Sequence, residues 1–139
     1  MRVLALDYGA ARCGCALSDP TGTLATPLDV VERPATKAGI RALRELVAAR
    51  EVDRIVVGLP LSLSGADSDQ TREARGFADR LRSALGTGVP VELYDERFTT
   101  AIAQRSGARD TAEDSRAAAV LLEDWLARHG HEHQDGAPA

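Results

Sequence analysis

The sequence predicts an α/β domain built on a mixed five-stranded sheet, and two observations indicate it. The first is an uninterrupted apolar run, Val3-Leu4-Ala5-Leu6, which is typical of a central strand covered on both faces. The second is the alternation of amphipathic helical patterns with short β-branched runs after residue 36. The order is three strands, then helix, strand, helix, strand and helix. It predicts an antiparallel meander joined to parallel strands by helical crossovers.

The first three segments, residues 2–8, 12–18 and 23–31, are predicted strands joined by tight links. The first link contains Gly9, and the second has the sequence DPTG, which is typical of a turn. Gly14 interrupts the second strand. A glycine inside a strand often marks the close approach of another backbone or of a ligand.

Two amphipathic helices are predicted next, over residues 36–50 and 69–85, and Thr36 is the expected N-cap of the first. A short β-branched strand, DRIVVGLP, lies between them and ends near Gly58. The segment VPVELYD after the second helix is the fifth predicted strand.

The last elements are a short helix over residues 98–105 and a longer one over 112–128. We expect residues 1–128 to form a single domain. The remaining residues, 129–139, predict a disordered polar tail in which the three histidines are solvated and have no role.

Composition indicates a soluble globular protein. The 139 residues are 44% hydrophobic, and no apolar segment approaches the ~20 residues that cross a bilayer. The N-terminus lacks the apolar stretch of a signal peptide, so we expect a cytoplasmic protein with no membrane partner.

Cys13 and Cys15 have no second cysteine pair to complete a zinc site, so we expect reduced, partly buried thiols. A net charge of −4 argues mildly against unspecific coating of nucleic acid, although an acidic metal centre remains compatible with it.

Asp7 directly follows the apolar run of the first strand, where a charge is costly to dehydrate unless something pairs with it. It either caps a turn or holds a cation. Ligands of open α/β sheets collect at the carboxyl ends of parallel strands, and Asp95 and Glu96 end the last strand. If that strand neighbours the first, the terminal acids lie side by side, which favours a divalent metal. Strand alternation lets only one of Asp95 and Glu96 face Asp7, and a turn or N-cap is the alternative role of Asp95.

Asp114 is the third candidate, because it precedes the apolar stripe of the last helix and stands at the head of its buried face. That stripe comprises Ala118, Leu121, Leu122 and Trp125. Taken alone, Asp114 is best interpreted as the acid of a capping box that begins at Thr111. Together with Asp7 and Glu96, it predicts a site for one or two Mg²⁺ or Mn²⁺ ions, a chemistry suited to phosphodiester hydrolysis.

Four motifs resemble those of the YqgF family in their order and spacing: LALDYGAARCGCALSD, IVVGLPLSLSG, DERFTT and DSRAAAVLLEDWL. Members of that family are described as pre-16S rRNA nucleases and as Holliday-junction-resolvase-like proteins. The resemblance covers residues 2–127. It implies an RNase H-like fold, in agreement with the predicted order of elements. It also implies a metal-dependent phosphodiesterase whose acids are Asp7, Glu96 and Asp114.

The same resemblance implies contacts with nucleic acid. Arg12, in the DxGxxR pattern, would face substrate phosphate or hold Asp7. Arg97, in DER, would lie beside the site, with a surface ion pair as the alternative. Thr99 and Thr100 would touch the nucleic-acid backbone or cap the following helix.

Two further features bear on how substrate would bind. Gly58 and Gly65 would shape a loop at the substrate groove. The segment AIAQRSGARDTAE, before the last helix, is short and has no lysine, whereas relatives commonly have a longer, lysine-bearing segment there. Arg105 and Arg109 are the candidates to replace that charge, and a preference for branched DNA stays open.

The leading hypothesis is a metal-dependent nuclease that matures the 5′ end of pre-16S rRNA or cleaves other single-stranded RNA, as a monomer or weak homodimer. The alternative keeps the site but resolves a four-way DNA junction, which requires two symmetric cuts and hence normally a dimer. The segment LDYGAARCG also resembles the first phosphate loop of actin-like and sugar-kinase ATPases, although those enzymes need two such lobes. A catalytically silent RNA-binding protein is the fourth hypothesis.

Overall fold

A computed structural model of the chain describes residues 1–61, 64–96 and 111–135, with side chains described for 113–129 in the last range. The strands in these ranges are β1 (Val3–Asp7), β2 (Arg12–Ser18), β3 (Ala25–Glu32), β4 (Arg54–Leu59) and β5 (Val91–Asp95). The helices are α1 (Lys37–Ala49), α2 (Asp69–Leu85) and α3 (Thr111–Asp135). The α/β prediction is confirmed, and the short helix expected over 98–105 lies outside the described residues.

The five strands form one mixed sheet in the order β3-β2-β1-β4-β5. β1 runs antiparallel to β2 and parallel to β4, and β4 runs parallel to β5. The first and last strands are therefore not neighbours. The sequence prediction that their terminal acids lie side by side assumed that they would be. β4 separates them because its apolar run, buried along nearly its whole length, suits a central position better than the half-exposed β5.

Each face of the sheet has its own apolar core, and the alternation of side chains along β1 divides them. Leu4 and Leu6 pack against α1 and α2, in a cluster that contains Leu43 and Phe77. Val3, Ala5 and their neighbours pack on the other face, against α3. That second cluster contains the whole predicted stripe of α3, namely Ala118, Leu121, Leu122 and Trp125. β1 is thus covered on both faces, as its unbroken apolar run predicted.

Helix α3 is attached closely to the strands beneath it. The Ser115 hydroxyl donates to the Leu28 carbonyl at 2.5 Å, and the Cys15 amide donates to the same hydroxyl at 3.4 Å. A Cβ added at Gly14 would lie 2.0 Å from the carbonyl oxygen of Asp114. The first turn of α3 therefore rests on strand backbone, at a distance that only a glycine permits.

The far end of α3 differs from the sequence prediction. The helix ends at Asp135 rather than near residue 128, so part of the expected disordered tail is helical. Between residue 128 and Asp135 the sequence contains a single glycine, Gly130, and no proline, so nothing stops the helix there before Gly136. His129, expected to be a solvated tail residue, stacks on Trp125 with ring centroids 4.7 Å apart.

Within the described ranges, no helix is long and apolar enough to cross a membrane.

Cys13 and Cys15 are free thiols, and they are more deeply buried than the sequence predicted. The neighbouring Cys15 and then burial raise the pKa of the Cys13 thiol well above its ordinary value, so this thiol stays protonated at neutral pH.

Because α3 rests on the backbone of Gly14, replacing this glycine tests how the helix docks. We expect Gly14→Ala to lower the free energy of unfolding by about 3 kcal/mol or more, since the new methyl group would push the first turn of α3 off the sheet. Gly76→Ala is the matched control, because no atom lies within 4 Å of its added Cβ. In the exposed interior of α2, this change should stabilise by about 0.5–1 kcal/mol. Urea denaturation measures both, and equal stabilities would contradict the close docking.

Candidate active site at the carboxyl edge of the sheet

Asp7 lies in the sheet with a glycine on each neighbouring strand. Its register partner on β2 is Gly14. On β4, Gly58 follows Val57, the partner of Leu6, as Asp7 itself follows Leu6. Asp7 is only 5% exposed, and a buried carboxylate is costly unless partners offset its charge. The two glycines leave space on both sides of this buried acid.

Asp114 approaches from the β2 side, where the first turn of α3 lies on Gly14. Asp114 is 4% exposed, and its Oδ2 accepts a hydrogen bond from Nε of Arg12 at 2.7 Å. Arg12 was expected to face phosphate or to hold Asp7, and the structure shows it paired with Asp114. The capping interpretation of Asp114 depends on the Thr111 side chain, which lies outside the described part of α3.

Glu96 approaches from the β4 side. A Cβ added at Gly58 would lie 2.6 Å from Oε1 of Glu96, so the carboxylate occupies the space that this glycine leaves open. Glu96 can therefore extend across β4 toward Asp7 although their strands are not adjacent. Between Asp95 and Glu96, which alternation left undecided, it is Glu96 that lines a cavity together with Asp7.

This cavity has a volume of about 240 Å³ and lies between the carboxyl ends of β1 and β4 and the first turns of α2. Its lining includes Asp7, Tyr8, Pro60, Gln70, Glu73 and Glu96. The buried Thr71 hydroxyl donates to the Pro60 carbonyl and so fixes the start of α2 against the end of β4. Ser68 and Thr71 also form a capping box that starts α2 at this point.

Tyr8 forms one wall of the cavity, and its ring stacks on Phe77 of α2 with centroids 4.7 Å apart. Burial raises the pKa of the Tyr8 hydroxyl, and the negative charge of Glu73 raises it further. Tyr8 is therefore a neutral, rigid wall at neutral pH, which places an aromatic surface directly beside Asp7.

The side chains at this edge include oxygen donors of the kind that a metal site needs. Carboxylate oxygens are the ligands that Mg²⁺ and Mn²⁺ prefer, and Asp7 and Glu96 present two of them to one cavity. Among the described residues, no three His, Cys, Asp or Glu side chains form a group that could hold a metal ion. The donor chemistry of Asp7 and Glu96 fits a divalent ion, and the Asp114 carboxylate is paired with Arg12.

The sequence-predicted nucleic-acid contacts and the observed lining of the cavity overlap only in part. Arg97, Thr99 and Thr100 lie outside the described residues. The sequence analysis did not single out Tyr8, Gln70 or Glu73. The helical pattern of α2 was recognised, and the i, i+3 spacing of Gln70 and Glu73 puts both on one face. Only the tertiary structure turns that face toward Asp7.

A wider groove, of about 980 Å³, runs along β3 between α1 and α3. Its lining includes Leu28, Val31 and Leu46, and Asp7 and Glu96 are not part of it. Volume alone would favour this groove. The smaller cavity is the better candidate because buried and convergent carboxylates, rather than size, indicate chemistry.

Comparison with proteins of known structure gives the fold. RuvC of Thermus thermophilus, in complex with a Holliday junction substrate, has a TM-score of 0.59 at 19% identity, covering 94% of this chain and 96% of that one. The fowlpox virus Holliday junction resolvase has a TM-score of 0.52 at 13% identity, covering 95% and 99%. At these identities the likeness shows the fold alone, and it confirms the RNase H-like architecture.

Comparison of sequences gives the family. A Koribacter versatilis protein named "Putative pre-16S rRNA nuclease" is 39% identical over 142 residues, covering 96% of this chain and 92% of that protein. A Clavibacter michiganensis protein of the same name is 45% identical over 134 residues, covering 88% and 81%. Residues 1–128 match the RuvX family, described as Holliday junction resolvase. The chain therefore belongs to the RuvX family of nucleases, the same family that the YqgF motifs had indicated.

Proposed function

We propose that this chain is a metal-dependent nuclease that hydrolyses phosphodiester bonds during 5′-end maturation of pre-16S rRNA. The observation that carries the proposal is the flanking of buried Asp7 by Gly14 and Gly58, over which Asp114 and Glu96 approach from opposite sides. A fold that leaves this space around a buried acid concentrates negative charge at one edge of its sheet. Such a concentration suits a divalent cation, which could in turn bind a phosphate of the substrate.

Asp7 and Glu96 are the residues that would hold the ion, because both line the cavity. When bound, a divalent ion makes the attacking water more acidic and stabilises the charge on the leaving oxygen. Arg12 pairs with Asp114 and fixes its carboxylate, and because its guanidinium is partly exposed, it would also be able to contact a substrate phosphate. Tyr8 offers a ring on which a base can stack.

Three residues of the third motif extend the proposed site. Arg97, Thr99 and Thr100 would contact the phosphates of the substrate, as the family resemblance implies. The proposal rests on their place in the chain, directly after Glu96.

RNA is the proposed substrate because the relatives at 39% and 45% identity are named pre-16S rRNA nucleases. The four-way DNA junction is the second candidate, and the description of the RuvX family favours it. Junction resolution needs two active sites in a symmetric dimer, whereas single cuts in RNA need only one chain. Measuring the mass of the active species alongside both substrates therefore separates the two.

Removing either cavity acid tests the proposed chemistry. We expect Asp7→Asn and Glu96→Gln each to lower the rate of single-stranded RNA cleavage by about 100-fold or more, because each change removes a charged ligand from the cavity. EDTA should abolish the wild-type activity, and Mg²⁺ or Mn²⁺ should restore it. The measurement uses 5′-labelled single-stranded RNA and a four-way DNA junction in parallel.

The matched controls remove one carboxylate charge elsewhere. Asp29→Asn on β3 and Glu123→Gln on α3 are exposed and should cleave as fast as the wild type. Metal-dependent cleavage of RNA that survives in Asp7→Asn would refute the proposed site. Paired cuts in the junction, without RNA cleavage, would replace the RNA proposal by the resolvase.

Gly58→Ala tests whether the missing side chain positions Glu96. The new methyl group would meet Oε1 of Glu96 at 2.6 Å and the Leu121 side chain at 3.2 Å. Because the carboxylate is the flexible end of a side chain, we expect it to move aside at a cost below about 1.5 kcal/mol. Affinity for Mn²⁺, measured by calorimetry, should fall about tenfold, and the cleavage rate should fall with it. Wild-type Mn²⁺ affinity in a folded Gly58→Ala protein would show that Glu96 is not the ligand.

A further inference from the structure

A basic cluster lies on the α1 and α2 side of the sheet, apart from the residues that the proposed chemistry uses. Lys37, Arg41, Arg44 and Arg80 surround a depression of about 320 Å³ whose floor includes Ile40. The three α1 residues are spaced i, i+4 and i+7, so they form one stripe along the helix. Arg80 of α2 faces them across the depression, and its guanidinium donates to the Ala35 carbonyl.

The basic cluster carries charge that the protein leaves unneutralised. In the part of the chain that the structure describes, none of its four side chains forms an ion pair. The described ion pairs involve other arginines, namely Arg12, Arg54, Arg72, Arg75, Arg82 and Arg128. Asp79, beside Arg80 in sequence, pairs with Arg82 instead.

Four exposed cations in one depression repel each other, and like charges at i, i+4 destabilise a helix by a few tenths of a kcal/mol. The first turn of α1 contains no acid to offset the positive end of its dipole. This concentration stands out in a chain whose net charge is −4. An arrangement of this kind is costly in the absence of an anion and suits one that spans several charges.

Helix α2 connects the basic cluster with the cavity. Glu73 lines the cavity and Arg80 belongs to the cluster, and their separation of seven residues puts both on the same face of α2. The rise between them is about 10 Å, which is about three nucleotides at the ~3.4 Å rise of a helical strand. Phe77 lies between them on this helix and stacks on Tyr8, the aromatic wall of the cavity. A strand that leaves the cavity along α2 therefore meets the cluster after a few phosphates.

We propose that the basic cluster binds the backbone phosphates of the single-stranded substrate, about three nucleotides from the bond held at Asp7 and Glu96. The inference rests on the proposed nuclease function and adds a surface that secures the strand without reading its bases. Arginine and lysine bind phosphate oxygens whatever the base, so the contact adds affinity and leaves sequence preference unchanged.

The test compares two double variants that remove the same charge. Arg41→Gln with Arg44→Gln removes two cations of the cluster. Arg54→Gln with Arg128→Gln removes two elsewhere, one at the opposite end of β4 and one on the helix that covers the other face. Each is assayed with a 20-nucleotide single-stranded RNA and with bis(p-nitrophenyl) phosphate, which is too small to reach the cluster from the cavity. RNA affinity is measured by fluorescence anisotropy between 50 and 200 mM salt.

For the cluster variant we expect KM for the RNA to rise about tenfold with kcat unchanged, because two phosphate contacts are lost. The slope of log affinity against log salt should become shallower by about 1.4, or 0.7 for each contact. Hydrolysis of bis(p-nitrophenyl) phosphate should stay at the wild-type rate. Arg41→Lys with Arg44→Lys, which keeps both charges, should restore most of the affinity, and the control variant should match the wild type throughout.

The outcomes separate this inference from the function on which it rests. If the cluster and control variants share the same KM and the same salt slope, the cluster does not bind substrate, and this inference is overturned. The proposed nuclease function, tested by Asp7→Asn, is then unaffected. If Asp7→Asn cleaves both substrates as the wild type does, the proposed site fails instead. The anisotropy measurement then still decides whether the cluster binds RNA. A parallel loss of bis(p-nitrophenyl) phosphate hydrolysis in the cluster variant would show a disturbed cavity and would also overturn the inference.

Discussion

The absence of side chains at two positions is the constraint on which this site depends. Gly14 and Gly58 flank Asp7 on the two strands that pair with β1. A methyl group at the first would collide with α3, and at the second with the Glu96 carboxylate. Any larger residue would widen the spacing between sheet and helix or turn an acid away. The sheet thus brings negative groups together by leaving space for them, and burial on both faces of β1 keeps that space fixed.

Most of the architecture could be predicted, because hydrophobic periodicity reports which faces a segment buries. The unbroken run before Asp7 and the stripe ending at Trp125 both led to the observed elements. Strand order was harder, since a single sequence does not state which parallel strand lies centrally, and the insertion of β4 was not foreseen. The end of α3 was also missed, because the loss of the apolar stripe after residue 128 does not by itself end a helix.

The acids that line the candidate cavity could be named from the sequence, whereas most residues of its walls could not, for a related reason. A carboxylate at the end of a buried strand is conspicuous in sequence, so Asp7 was singled out, whereas strand alternation left Asp95 and Glu96 open and only the family resemblance selected Glu96. Gln70 and Glu73 are ordinary polar residues of an exposed helix, and only the docking of α2 against β4 turns them toward the cavity. The pairing of Arg12 with Asp114 joins residues 102 positions apart, a contact that no local pattern encodes.

The glycine at position 58 also affects how the cell would detect a damaged copy of this protein. Quality control by chaperones and proteases responds to the fraction of molecules that unfold, and not to the placement of one carboxylate. A substitution at Gly14 would destabilise the fold, so the protein that carries it would unfold more often and be degraded. A substitution at Gly58 meets a flexible side chain and costs less stability, so most of the product would stay folded, cleave more slowly and compete with intact molecules for the same substrate. Substitutions at these two glycines would thus differ in their genetic effect. A substitution at Gly14 would remove the protein, whereas one at Gly58 would leave a folded protein that interferes with intact copies.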